Sequence, residues 1–332
     1  MSRDPAASPV HGDTVLLLPL RAGGGPWIGR KAFRNGFDAF EVVQSQKLRA
    51  YDKPPSPNAY LSRFIAARYA EGNMTPDNGP RFRVYLDFDG TLVTPNVAID
   101  LVGRFAPNGA AVAKEVDDQL HSGQITLRQA WERQAALLPP DRIPEMTKFC
   151  VDNIPLRQGA HEMLSFFETA RIPVVVLSGG LDFYIRAILA REGLNLPFLS
   201  DTMERTAEGT LRVQHPYGHP TCVLCGICKA QAVQAPAPLG VRTIFIGDGS
   251  TDRFAAEVTD LVFARRRLLQ YCHESMIPVF PFETFEPVTE KIRAWVLGLE
   301  PVPAPRSLGL AESRCPISRE LHNASFERSL TA

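Results

Sequence analysis

The sequence predicts an α/β protein: a parallel, doubly wound sheet with a small helical insertion after its first strand. Three observations predict it. Four short apolar runs, at residues 84–87, 173–177, 243–246 and 261–264, have the length and composition of strands buried on both faces. The intervals between them read mostly as amphipathic helices, and strands alternating with helices give parallel sheets. The first three runs end in Asp87-Phe88-Asp89-Gly90-Thr91, Ser178-Gly179-Gly180 and Gly247-Asp248-Gly249. Open α/β sheets carry their functional groups at the carboxyl ends of strands, and all three clusters fall there.

In chain order, residues 1–80 form an N-terminal extension without a motif, with a short strand expected at 14–20 and helices at 37–48 and 58–69. It reads as a docking arm or as largely disordered. The main domain starts at Arg81. After the strand at 84–87, the stretch 97–154 is helical throughout, with helices expected at 98–105, 110–121, 126–138 and 144–152. Thr126 is the N-cap expected for the third. A helix at 159–170 leads to the second strand, and a helix at 181–192 follows it. A short strand at 211–213 precedes a cysteine-bearing loop and a helix starting near Lys229. The third strand is followed by a helix from 253, the fourth by a closing helix at 286–297. The catalytic core is thus expected at 81–96 and 155–298, with 97–154 inserted. Pro301, Pro303 and Pro305 open a polar stretch, 299–332, expected as a mobile tail.

The chain of 332 residues holds one large domain or two small ones, and its hydrophobic share of 45% is that of ordinary globular proteins. With 36 basic and 36 acidic residues, it has no electrostatic footprint for nucleic acid or an anionic membrane. No apolar run approaches the roughly 20 residues of a membrane span. Leu16-Leu17-Leu18 is too short for a signal core, so a soluble, cytoplasmic protein is expected. Six cysteines are too few for a disulfide scaffold.

The chemistry starts from Asp87 and Asp89. Residues two apart in a strand point to one side, so both carboxylates can face one site. Buried charges need partners, and a metal cation is the obvious one. If the site holds a phosphate ester, a nucleophile must attack in line and the charge on the equatorial oxygens must be neutralised. Asp87 suits the nucleophile, passing through an aspartyl-phosphate. Asp89 is placed to protonate the leaving oxygen and later to deprotonate water. Asp87, the Asp89 backbone carbonyl and Asp248 are hard oxygen ligands that suit Mg²⁺. Ser178 with the Gly179 and Gly180 amides offers donors at a helix N-terminus, Thr91 joins them, and Lys229 adds a compact positive charge. Asp252 is placed to order metal waters or Lys229. Alone, each motif reads as a turn, a loop or a surface lysine. The set, in this order and at these element ends, carries the reading.

Taken together these motifs resemble the haloacid dehalogenase superfamily of phosphatases, over about residues 81–298. The resemblance implies a Rossmann-like core and makes 97–154 the cap that members insert after the first motif, which closes over the site and selects substrate. Within the superfamily the chain looks like the phosphoserine phosphatase branch, with two departures. The cap glutamate of that branch falls on Asn96, and the arginine that would clamp an amino-acid carboxylate falls on Gln134, beside Arg133. Losing both argues against phosphoserine, and a one-residue shift would restore Arg133. A closer resemblance is to the 2-hydroxy-3-keto-5-methylthiopentenyl-1-phosphate phosphatase subfamily. It rests on Gln124-Ile125-Thr126 through Leu137-Leu138-Pro139, Ser178-Gly179-Gly180-Leu181-Asp182-Phe183, Cys225-Gly226-Ile227-Cys228-Lys229, Phe263-Ala264-Arg265 and Pro281-Phe282-Glu283-Thr284-Phe285. The N-terminal extension and the tail have no counterpart in it.

Asn96, Arg128, Glu132, Arg133 and Gln134 are the insertion residues expected near substrate, with Arg157 at its junction to the core; a solvent-facing position is the alternative for each. Cys222, Cys225 and Cys228, with His215 and His219 upstream, offer enough ligands for a structural Zn²⁺. The alternative is a loop of reduced thiols packed beside Lys229. The expected function is a Mg²⁺-dependent phosphomonoester phosphatase acting on a small phosphorylated metabolite, with neither nucleic acid nor membrane as partner. Transfer of the phosphoryl group to an acceptor other than water, as in mutases, and a non-catalytic regulatory protein that binds a phosphate ligand are the competing readings.

Overall fold

The computed structural model describes residues 81–330, so the expectations for 1–80 lie outside it. The chain runs through β1 (Arg81–Leu86), α1 (Val97–Phe105), α2 (Gly109–His121), α3 (Leu127–Ala135), α4 (Ile143–Asn153), α5 (Ala160–Thr169), β2 (Val174–Leu181) and α6 (Asp182–Arg191). It continues through β3 (Phe198–Arg205), β4 (Leu211–Gln214), α7 (Lys229–Val233), β5 (Val241–Gly247), α8 (Arg253–Glu257), β6 (Leu261–Ala264), α9 (Arg266–Glu274), β7 (Phe280–Pro281), α10 (Glu286–Val296) and α11 (Pro316–Leu330). No described helix is long and apolar enough to cross a membrane.

The seven strands form one sheet in the order β4-β3-β2-β1-β5-β6-β7, parallel except for β4. The chain winds outward from β1 to β4, then returns to the other side of β1 and winds outward again. Strand order therefore reverses between β1 and β5, and the crevice at their carboxyl ends is where such sheets bind ligands. Leu86 pairs with Ile246, which brings Asp87 level with Gly247-Asp248.

The apolar runs are legible because the middle strands bury both faces. Val84, Leu86, Val176 and Ile246 join one core layer, and Tyr85, Val175, Leu177 and Phe245 join the other. β1 starts earlier than its apolar run because Arg83 is buried too. Its two terminal nitrogens donate to the carbonyls of Ala235 and Pro236 and to the Tyr85 hydroxyl, which makes the burial of the side chain tolerable. In the insertion, α3 starts with a capping box: the Thr126 hydroxyl accepts from Gln129 N–H at 3.2 Å, and the Gln129 side chain accepts from Thr126 N–H at 2.9 Å.

Several elements differ from expectation. β3 carries buried Ser200 and Asp201 and so lacks an apolar run. β2 does not end at Leu177; it continues through Ser178-Gly179-Gly180 to Leu181, with a register shift against β3. The stretch beyond residue 299, expected as a mobile tail, is packed and ends in α11. Cys315 enters the core, Leu310, Ile317 and Leu321 pack against it, and buried polar groups find partners there. Arg306 donates to the carbonyls of Ala256 and Thr259, and the Ser313 hydroxyl donates to the buried carboxylate of Glu257.

Candidate active site

The floor of the crevice is a buried charge cluster. Lys229 Nζ, at the first position of α7, donates to Asp87 Oδ1 at 2.5 Å and to Asp252 Oδ1 at 2.6 Å. The second oxygen of Asp252 accepts from the backbone N–H groups of Asp248 (3.0 Å) and Gly249 (2.9 Å), folding the loop after β5. The Thr91 hydroxyl donates to Asp248 Oδ1 at 3.2 Å. Gly90 is required here. Its φ is +80°, and a Cβ would lie 2.6 Å from Asp248 Oδ2.

Asp87, Asp248 and Asp252 each bring a carboxylate oxygen within 4.8 Å of the others, the one such group among the described residues. Burial, the Asp252 charge and the Asp248 charge raise the Asp87 pKa well above the ordinary carboxylate range, against Lys229. Burial and Asp252 raise Asp248 to about 6. Burial works against the Lys229 charge, but Asp252 and Asp87 together hold its pKa above the ordinary value. Three carboxylates thus face one ammonium, with the Arg265 guanidinium 3.7 Å from Asp248 Oδ2, and a divalent cation fits the remaining deficit. Both oxygens of Asp252 are taken by protein donors, whereas Asp87 is engaged through Oδ1 and Asp248 Oδ2 meets only the Arg265 guanidinium, at 3.7 Å, so these two carboxylates are the ones that could hold it.

Asp89 sits in different surroundings. Its Oδ2 accepts from the Tyr184 hydroxyl at 2.7 Å and from the Ser178 hydroxyl at 3.3 Å, and its Oδ1 accepts from Val97 N–H at 3.1 Å. Desolvation raises its pKa, while Tyr184, Val97 and Ser178 pull it down. A Cβ on Gly180 would lie 1.8 Å from the Tyr184 oxygen and 2.3 Å from Asp89 Oδ2, so the Asp89–Tyr184 contact needs glycine there. Gly180 N–H donates to Ser178 Oγ at 3.0 Å. Tyr184 is a residue that sequence reasoning missed. Its signal was a tyrosine on the first turn of a helix following Ser-Gly-Gly, where a buried hydroxyl has to find an acceptor.

Above the floor lies a cavity of about 430 Å³, walled by Gly179, Gly180 and the loop 249–251 and roofed by insertion side chains including Ile99, Leu127, Trp131 and Gln134. Trp131 Nε1 donates to the Gly179 carbonyl at 2.8 Å, joining roof to wall.

The expected substrate residues separate. Asn96 and Gln134 line the cavity, and Asn96 also caps α1 through Ile99 N–H. Arg133 is exposed and donates to Gln119. Arg128 is spent on the carbonyls of Cys225 and Cys222 in the cysteine loop. Arg157 lies behind the motif, donating to the carbonyls of Thr91 (2.7 Å), Gly90 (2.6 Å) and Glu283 (3.0 Å). Of the expected phosphate donors, Gly179 and Gly180 line the cavity, while Ser178, Thr91 and Lys229 are buried beside it.

Cys222, Cys225, Cys228 and His219 border a second, much smaller cavity with Cys315. All six cysteines are free, and no three thiol or imidazole ligand atoms there come within 4.8 Å of one another. Burial pushes the Cys228 thiol up to about 11 and raises Cys225 further, so both are neutral thiols. His215 lies elsewhere, against Asp201.

A mostly parallel doubly wound sheet, with an aspartate-lysine floor at its switch point, defines a hydrolase of the haloacid dehalogenase-like class. The model of the haloacid dehalogenase-like hydrolase family matches residues 84–257, and the chain belongs to that family. Among curated proteins it is similar to the 2-hydroxy-3-keto-5-methylthiopentenyl-1-phosphate phosphatase of Bacillus cereus (strain G9842), 30% identical over 215 residues, covering 64% of this chain and 95% of the relative. The same enzyme of Bacillus thuringiensis (strain Al Hakam) matches at the same identity and coverage. Among solved structures, a phospho-aspartyl intermediate analogue of phosphoserine phosphatase aligns with TM-score 0.50 and 21% identity over 64% of this chain and 99% of that one. A phosphoserine phosphohydrolase-like protein from Francisella tularensis subsp. tularensis SCHU S4 aligns with TM-score 0.50 and 18% identity over 63% and 99%. These structures share the fold.

Proposed function

We propose that the protein is a Mg²⁺-dependent phosphomonoester phosphatase that hydrolyses a small phosphorylated metabolite through an aspartyl-phosphate on Asp87. The observation that carries this reading is Lys229 bridging Asp87 and Asp252 beneath the cavity, with Asp89 held separately by Tyr184. Two carboxylates in unlike surroundings take unlike roles. Asp87 attacks phosphorus as the carboxylate, which Lys229 favours and aims against the burial and neighbouring acids that oppose its charge. Asp89 gives a proton to the leaving oxygen and then takes one from the water that hydrolyses the acyl phosphate. Asp87 and Asp248, with the Asp89 carbonyl, would hold Mg²⁺, which when bound neutralises charge on the phosphoryl oxygens. Asp252 fixes Lys229 and the loop bearing Asp248. Gly179 and Gly180 form the wall against which the phosphate rests.

Residues 97–154 act as a cap in this reading, with the Trp131–Gly179 hydrogen bond a contact of the closed state that excludes water during the first step. The apolar roof then receives the organic part of the substrate. The names of the relatives support a phosphorylated metabolite, and we assign the protein to the cytoplasm, where free thiols persist.

Asp87→Asn tests the reading. It is expected to abolish turnover of p-nitrophenyl phosphate and of every member of a phosphorylated-metabolite panel. Beryllium trifluoride with Mg²⁺ is expected to raise the melting temperature of the wild type and not of the variant. Full activity in Asp87→Asn would remove the proposal.

A further inference from the structure

We propose that Arg266 recognises a second anionic group, a carboxylate or a second phosphate, at the far end of the substrate's organic part. This rests on the phosphatase reading and adds the substrate class to it.

Arg266 lines the cavity together with Asp248, Gly249, and Asp117 and His121 of α2. Among the described residues that line the cavity, Arg266 and Arg267 are the only arginines or lysines. The run Arg265-Arg266-Arg267 divides its work. Arg265 donates to the Gly90 carbonyl and to Glu283. Arg267 pairs with Asp117 at 3.7 Å, across the cavity mouth. The Arg266 guanidinium is exposed and makes no side-chain hydrogen bond or close ion pair among the described residues; its charge acts only at longer range, on Asp248 and Glu283. Its position is also unfavourable for folding alone. It opens α9 with φ at +47°, a left-handed backbone that a non-glycine residue adopts at a cost. It also places a cation at a helix N-terminus, where the peptide dipoles favour an anion. Local cost without a local partner, on the wall of a binding cavity, points to a ligand.

The rest of the lining indicates which ligand. The floor takes one phosphate, and the roof between floor and mouth is largely apolar, with Ile99, Val116, Leu120 and Trp131. The acid at the mouth, Asp117, already faces Arg267. An anion reaching the mouth would therefore meet one uncommitted guanidinium, whose planar fork suits carboxylate and phosphate oxygens.

The test is equilibrium binding to the Mg²⁺-loaded full chain, by calorimetry, of matched alkylphosphonates three to six carbons long. They end in methyl, carboxylate or a second phosphonate, and hydrolysis does not break their carbon–phosphorus bond. A charge-assisted hydrogen bond corresponds to about tenfold in affinity. The wild type is expected to bind an anion-ended member about tenfold more tightly than its methyl-ended counterpart, and Arg266→Gly is expected to lose that advantage. Glycine adopts the left-handed backbone freely, so the variant is expected to fold, with its melting curve as control. Whichever anionic series shows the larger gap identifies the group as carboxylate or phosphate. Equal binding of all three series by the wild type, or an advantage that survives in Arg266→Gly, would overturn the inference. Failure of the wild type to turn over p-nitrophenyl phosphate would defeat the phosphatase reading instead, and the binding comparison does not depend on it.

Discussion

Arg157 Nη2 donates to the Gly90 carbonyl at 2.6 Å, binding the start of the main domain's second half to the turn that follows the first acidic pair. The same carbonyl accepts from Arg265 Nη1 at 3.0 Å. A turn that leaves the sheet beneath a packed helical layer has carbonyls with no ladder partner, and buried carbonyls need donors. Two guanidinium groups supply them. Burial and the neighbouring Arg265 lower the Arg157 pKa to about 10, with Asp248 and Glu283 opposing, so it stays charged at neutral pH. Two cations drawn to one oxygen behind Asp87 and Asp89 hold the geometry of the floor from the rear.

Replacing Arg157 by methionine is therefore expected to act through position rather than through substrate contact. The carbonyls of Gly90, Thr91 and Glu283 each lose a donor. Gly90 keeps Arg265 as a donor and Glu283 is exposed to water, so only the buried Thr91 carbonyl is left unsatisfied, and a loss of about 1–3 kcal/mol is expected in urea denaturation. In this variant kcat should fall much more than KM rises. A variant with normal stability and a raised KM alone would show Arg157 to be a substrate ligand.

Tyr184→Phe removes one donor from Asp89 and leaves the ring in place. Desolvation raises the Asp89 pKa and Tyr184 lowers it, so the carboxyl should rise further in the variant. In the proposed mechanism Asp89 carries the proton given to the leaving oxygen, so the alkaline limb of the kcat profile is expected to move to higher pH. A decrease in kcat of about tenfold should accompany this, the equivalent of one hydrogen bond to a charged group. A pH–rate profile from acid to alkaline limb checks both. An unmoved limb would separate Tyr184 from the proposed proton carrier.

Much of the fold was legible because the middle strands are apolar on both faces, and the acids that end them stand out against that background. Asp87, Asp89, Asp248 and Asp252 converge because strand ends in a parallel sheet converge, and Lys229 because it opens a helix facing them. Thr126 was legible because a cap bonds three residues along its own chain. Tyr184, Trp131 and Arg265 were not, because their partners lie at Asp89, Gly179 and Gly90, distances in sequence that periodicity does not span. β3 was hidden by Asp201, a buried carboxylate where a strand usually shows an apolar side chain. Arg133 and Gln134 are neighbours on one helix, and only the packed insertion turns Gln134 to the cavity and Arg133 to solvent. The tail was misread because its apolar contacts, Leu310, Cys315, Ile317 and Leu321, are few and set among polar residues, and its other anchors, Arg306 and Ser313, are polar.

Trp131→Phe tests the contact between roof and wall. The ring volume is largely kept while the hydrogen bond to the Gly179 carbonyl is lost. One such bond is worth about 1 kcal/mol, so KM is expected to rise about fivefold. Because the lost bond is to the Gly179 carbonyl and not to the Asp87–Lys229 cluster, kcat should change less. Steady-state kinetics with the preferred substrate measures the split, and a fall in kcat with constant KM would count against a closing role.

Asp201 gives a prediction on stability and pH. Its carboxylate is fully buried, and His215 Nδ1 lies 2.9 Å away but out of line for a hydrogen bond. A Cβ on Gly226 would lie 1.8 Å from Asp201 Oδ2, so the loop that leads to Lys229 rests directly on this group. Burial raises its pKa to about 6, against His215, Arg128 and Lys229, which lower it. An unfolded aspartate titrates near about 3.9. Between those two values the native protein holds more protons than the unfolded chain, so stability falls as pH rises through that window. The loss attributable to Asp201 is on the order of 3 kcal/mol at most, and it is complete above about pH 6. Asp201→Asn cannot ionise. Its stability relative to the wild type is expected to improve by up to that amount as pH rises from about 4 to about 6.5, on top of a constant offset from the altered His215 contact. Urea denaturation of both proteins across this range measures the difference. A difference that stays flat would mean that Asp201 ionises at its ordinary value, and that the contact beneath the Lys229 loop carries no protonation cost.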